Sequence, residues 1–166
     1  MAPTTPPELD AIDLKLLQAL LLDAAQRLED LAKLVKLVPS SVHDRLNRLE
    51  RDGIIRRWTV NLDATALGLG VLAYMGVGAT KPCSALLPCL AEIPEIEEAH
   101  SVAGELSLLL KVRVRTTRDL LLLAERLRQI PGIERTETTI VLETQLERPM
   151  TLAAPAPAVR PKSRAG

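Results

Sequence analysis

The chain has 166 residues, 47% hydrophobic and 25% charged, with a formal net charge of zero, which suits a folded chain of one medium domain or two small ones. Aromatic residues are 1% of the whole, Trp58 and Tyr74 with no Phe, which argues against a base-stacking surface. No apolar run reaches the roughly eighteen residues of a membrane span, and "MAPTTPPELD" lacks the basic start and apolar core of a signal peptide, so a cytoplasmic protein is expected.

Residues 1–8, rich in Pro and Thr, read as a loose leader. Leu9, Ile12, Leu16, Leu17, Leu20 and Leu21 then recur at helical spacing and predict a helix over 9–23. Leu28, Leu31, Ala32 and Val35 line one side of a second, short helix over 28–35. Pro39 suits the first turn of a third, since its missing donor has no helical partner there, and Gly53 closes it. Val42, Leu46 and Leu49 follow the i, i+4, i+7 rule and face inward, which leaves Ser40, Ser41, His43, Asp44, Arg45, Asn47, Arg48 and Arg51 outside. From Ile55 to Leu62 the apolar period drops to two, the pattern of a strand, read here as a wing. Residues 9–60 thus form a winged helix-turn-helix.

A linker over 61–67 follows, and then a second pattern over 68–146. A strand in "GLGVLAYMGVGAT" precedes a helix in "SALLPCLAEI" that contains Pro88. Strands over 96–102 and "SLLLKVRVR" lead to a helix over 117–129, capped by Thr116 or Thr117 and stopped by Pro131 and Gly132, and to a last strand over 133–143. The order βαββαβ is ferredoxin-like, so the fold class is α+β. Residues 147–166, rich in Pro and Ala with four cations and no periodicity, read as a disordered basic tail.

Charge is uneven. Residues 27–60 hold eight basic and five acidic residues, a net +3, whereas 91–145 hold seven against ten. Only a local patch therefore attracts phosphate. An exposed charged helix is often just solvated, with Asp44, Glu50 and Asp52 pairing to its arginines. A third helix preceded by two serines and followed by Arg56 and Arg57 fits DNA contact better. On that reading Ser40, Ser41 and His43 reach base edges, Asp44 and Asn47 share the face, and Arg45, Arg48, Arg56 and Arg57 touch phosphates or the groove wall. Cys83 and Cys89 lack a His pair at zinc spacing and read as reduced thiols; no metal, cofactor or catalytic group is assigned. The glycines of "GLGVLAYMGVG" lie along a strand, not at a phosphate-binding turn.

Three motifs, in order, resemble the Lrp/AsnC (leucine-responsive, feast/famine) transcription regulators: "LDAIDLKLLQAL", with Leu9, Asp10, Asp13, Leu16 and Leu17; "RLNRLERDGII", Arg45–Ile55; and "IPGIERTETTIVLE", Ile130–Glu143. The resemblance covers residues 9–146. It implies a sequence-specific regulator that binds double-stranded DNA as a homodimer or an octamer, works at the nucleoid, and takes an amino-acid or other small effector in its second domain. By the same carry-over, Gly104, Glu105, Ser107, Thr136 and Thr138 line the effector pocket. Arg27 and Val38 stand where the family caps its second and third helices with Ser, and Lys36 where it has a turn Gly. Each cap so lost costs about 1 kcal/mol. The family's Gly-Asp-x-Asp-Tyr loop is here "GELSL", Gly104–Leu108.

Two other readings share this architecture. Sirohaem decarboxylases have the same two-domain plan, but "ELSLLLKV" supplies no second His for acid-base chemistry. A ligand-free architectural DNA binder fits the altered loop and the basic tail.

Overall fold

The computed structural model describes residues 8–152, so nearly all of the leader and most of the basic tail lie outside the described residues. These residues form two units, one running to Val60 and including Glu147 onward, the other Asn61–Leu146.

In the first unit α1 (Ala11–Leu22) begins at a reciprocal cap: the Asp10 carboxylate accepts the Ile12 and Asp13 amides at 2.9 and 2.8 Å, and Asp13 accepts the Asp10 amide at 3.1 Å. α2 (Leu28–Val35) and α3 (Pro39–Arg51) lack such caps, because Arg27 and Val38 offer no side-chain acceptor. Burial holds the three together instead. Leu16, Leu31 and Val42 are at most 2% exposed, with Ala19, Ala32 and Val35 around them. The i, i+4, i+7 stripe of α3 is buried as expected at Val42 and Leu49, with Leu46 packed at its edge.

Lys36 ends α2 in the left-handed region, at φ 57° and ψ 44°, the one non-glycine residue with positive φ among those described. The turn into α3 demands it: with Lys36 so placed, the Leu37 amide reaches back to Ala32 O at 3.0 Å and closes the helix. A Cβ in that region costs about 1 kcal/mol. Lys36→Gly is therefore expected to raise the unfolding free energy of this unit by about that amount, read in a urea melt; an unchanged midpoint would mean that Lys36 carries no strain.

The wing is a correction. No strand forms between Ile54 and Asp63. The Ile54 and Ile55 amides both return to Leu49 O, at 2.9 and 3.0 Å, and Arg56 to Asp63 is open to solvent. The period of two is present, but a lone extended segment needs a neighbouring strand for its backbone donors and a core for its apolar side, and the described residues supply neither.

The second unit runs β1 (Val71–Ala79), α4 (Cys83–Ala91), β2 (Ile96–Ser101), β3 (Leu108–Val114), α5 (Thr117–Arg128) and β4 (Ile133–Ile140), the expected βαββαβ order. The strands lie β2-β3-β1-β4, all antiparallel. Alternation buries Ala73, Met75 and Val77 of β1 and Leu108, Leu110, Val112 and Val114 of β3 against Leu86 and Leu90 of α4 and Leu120, Leu123 and Leu127 of α5. α5 starts at a Thr116–Asp119 capping box. Neither helix covers the other sheet face, which carries Tyr74, Gly76, Gly78, Leu109, Lys111 and Arg113. Leu106 folds over Gly76, where any Cβ would collide with it, and so seats the β2–β3 loop on this open face. β4 stops at Ile140, short of the expected 143; only the Val141 amide still finds β1, at Leu72 O.

Candidate nucleic-acid interface and effector cleft

α3 presents Ser40, His43, Asp44 and Asn47 to solvent, with Ser41 half-buried beside them. Arg56 and Arg57, on the extended segment that follows, are exposed. Arg45 and Arg48 are different. Reading the helix as a bare cylinder left them outside, but both turn back onto α1. Arg45 donates to Asp10 at 2.6 Å and to Asp13 at 2.8 Å, and Arg48 donates to Asp13 at 2.5 Å. Asp13 is 0% exposed, the sole fully buried charged residue among those described, and its two oxygens hold one guanidinium each. Arg48 Nε is also shut away from solvent, without a hydrogen-bond partner.

The physical reason is burial. A carboxylate taken out of water needs counter-charge and donors, and arginine brings both in one planar group. Sequence reading assigned the arginines without asking where the Asp13 charge would go. The signal was present, since Asp10 and Asp13 lie in the first matched motif and Arg45 and Arg48 in the second.

Hydrogen bonding from the Asp13 amide, and then from Arg45, holds the Asp10 carboxyl below its ordinary value of 3.8, while Asp10 and then Asp13 push the Arg45 guanidinium up. A carboxyl depressed in the folded state stabilises above its unfolded value, and that contribution is lost as pH falls through the lower folded value. The first unit should therefore melt at falling temperature once pH drops below about 3.8, and Asp10→Asn should flatten this limb. Equal acid limbs in both proteins would refute the link. On the open sheet face, hydrogen bonds from His100 and then Lys111, at 2.9 and 3.1 Å, hold the Glu98 carboxyl below its ordinary value.

The residues assigned to the effector divide between two faces. Glu105 and Ser107 line an open cleft of about 500 Å³ with Gly78, Ala79, Glu134 and Arg135. Ser107 also fixes the loop: its Oγ accepts the Ala79 amide at 3.2 Å, its own amide bonds Val77 O at 2.8 Å, and its carbonyl accepts the Cys83 thiol at 3.4 Å. Gly104 stands in the loop at φ 135°, a conformation that favours glycine. Thr136 and Thr138 do not join this group. They pair with Val77 and Met75, whose side chains lie on the helix-covered face, while the alternation of β4 turns Arg135 and Glu137 toward the loop. Arg135 reaches Glu137 at 3.2 Å and Glu105 at 3.8 Å. Sequence reading missed Arg135 and Glu134, because only the β1–β4 register brings them beside the loop.

A three-helix unit with an exposed third helix, joined to a βαββαβ unit with a polar cleft, fits the plan of a DNA-binding regulator with a ligand-binding domain. Family models agree: one for winged helix-turn-helix DNA-binding domains matches residues 9–56, and one described as the Lrp/AsnC ligand binding domain matches 74–151. The HTH-type transcriptional regulator FL11 of Pyrococcus horikoshii is 33% identical over 140 residues, covering 84% of this chain and 93% of that protein. The feast or famine regulatory protein of M. tuberculosis, solved in complex with L-methionine, is 34% identical with a TM-score of 0.79, covering 84% of this chain and 96% of the other. AsnC of E. coli is 27% identical, also with a TM-score of 0.79, over 86% and 98% of the two chains. The chain belongs to the Lrp/AsnC family of DNA-binding transcriptional regulators. That membership decides against the decarboxylase reading, since the matched family consists of regulators, not enzymes. No helix among the described residues is long and apolar enough to cross a membrane.

Proposed function

We propose that this regulator reads its operator with the exposed face of α3, Ser40, Ser41, His43 and Asn47 facing base edges and Arg56 and Arg57 facing phosphates, and that it senses an amino acid in the cleft beside Gly104–Ser107. The effector reading is carried by the pairing of opposite charges in one cleft: Glu105 and Glu134 can accept from an ammonium, and Arg135 can take a carboxylate. A zwitterion needs both ends held, and a relative was solved with L-methionine. Thr136 and Thr138 drop out of this reading.

Self-association belongs to the same proposal. The uncovered sheet face, with Tyr74 38% exposed and Leu109 beside it, offers a surface that a second copy can cover. Two linked DNA-binding units gain effective concentration on a two-fold operator. A regulator of this kind works in the cytoplasm, at the nucleoid. The architectural reading survives on one observation: "GELSL" keeps only one acid, Glu105.

Selecting bound duplexes from a genomic pool, with and without a panel of amino acids, separates these outcomes. A recurrent operator whose enrichment shifts with one amino acid supports the proposal. A ratio near one between enriched and random DNA supports the architectural reading, and enrichment indifferent to every amino acid removes the effector.

A further inference from the structure

We propose that Arg45 and Arg48 are positioning residues: their guanidiniums stay on Asp10 and Asp13 while α3 lies on DNA, set the seat of α3 on α1, and leave phosphate to the exposed cations that follow. The inference rests on α3 being the reading helix.

Three observations lead to it. Asp13 is fully buried, and two short contacts from α3 neutralise it. Moving both guanidiniums to phosphate would exchange contacts to a desolvated carboxylate for screened surface contacts and strand that buried charge, the less favourable state. Arg48 is further constrained, since its Nε edge is closed to solvent. The third observation is charge balance. Residues 27–60 count eight basic groups against five acidic, but Asp10 and Asp13 lie outside that count; over the whole of 9–60, nine basic residues meet eight acidic, a net +1. The field that α3 offers to DNA is then far weaker than its arginines suggest. Arg56 and Arg57 remain exposed, with no ion pair among the described residues. The latch thus converts two general DNA-attracting charges into an angular constraint on Ser40, Ser41, His43 and Asn47. A tilted reading helix loses base preference before it loses affinity for duplex in general.

The test measures the affinity of the full chain for its selected operator and for random duplex across a salt series, using wild type, Arg45→Gln, Arg48→Gln, Asp10→Asn and Arg56→Gln. Each variant's folded fraction is checked by a thermal melt. Arg56→Gln should lower the slope of log K against log salt by about 0.9, the signature of one lost phosphate contact. Arg45→Gln and Arg48→Gln should keep the wild-type slope, while the ratio of operator to random binding falls about fivefold or more, the size of one mismatched base pair. Asp10→Asn, which loosens the latch at its half-exposed end, should likewise lower the ratio at unchanged slope, and it serves if Arg48→Gln does not fold. A slope lowered by about 0.9 in Arg45→Gln, with the ratio intact, would overturn the latch by placing that guanidinium on phosphate. Wild-type protein that favoured no duplex over random DNA would instead sink the reading helix, and the latch with it.

Discussion

Combining Arg45→Gln with Arg48→Gln is expected to cost the first unit about 3–5 kcal/mol of unfolding free energy, a large share of what a small domain holds. The loss comes from Asp13 more than from the arginines. With 0% exposure its carboxylate cannot recover its hydration, and the double variant removes both counter-charges at once. Adding Asp13→Asn should therefore restore part of the stability, because the amide can still accept the Asp10 N–H while leaving no stranded charge. Urea melts of the wild type, the double and the triple variant give the order directly. A triple variant no more stable than the double would show that lost packing, not a stranded charge, underlies the effect.

Arg56→Ala with Arg57→Ala is expected to weaken binding to operator and random duplex alike, by roughly fifty- to a hundredfold at about 0.1 M salt, with a slope lower by about 1.8. Both residues are exposed and lie on the irregular segment after α3, so their removal should leave the melting curve of the first unit unchanged. That separates charge from stability. If the operator were lost tenfold more than random duplex, the two arginines would be reading bases, and the division of labour along α3 would have to be redrawn.

Much of the fold was legible because local chemistry and burial agree. The stripe Val42, Leu46 and Leu49 marked the inner face of α3 by a period that permits only one buried face, and "SLLLKVRVR" marked β3, whose alternation in the structure buries Leu108, Leu110, Val112 and Val114. Lys36 was legible as a departure, and its backbone is left-handed all the same, since packing of α2 and α3 sets the turn whatever residue occupies it. The segment Ile55–Leu62 shows the limit. Its alternation was real, but a strand is a property of two segments, and no partner among the described residues pairs with this one.

The candidate sites were less legible. Ser107 read as an effector contact, and the structure also gives its hydroxyl and backbone the task of tying the loop to β1. Thr136 and Thr138 followed from a motif alignment that does not record which sheet face a residue occupies, while Arg135, one position away, lines the cleft.

By itself the sequence determined the class of protein, the order of the elements and the faces that the first three helices bury, because apolar periodicity and three ordered motifs are local properties of the chain. Only the tertiary structure decided which charges pair with one another. An arginine side chain is long enough to serve phosphate or a carboxylate many residues away, and Asp13, buried 32 and 35 positions before its partners, took them.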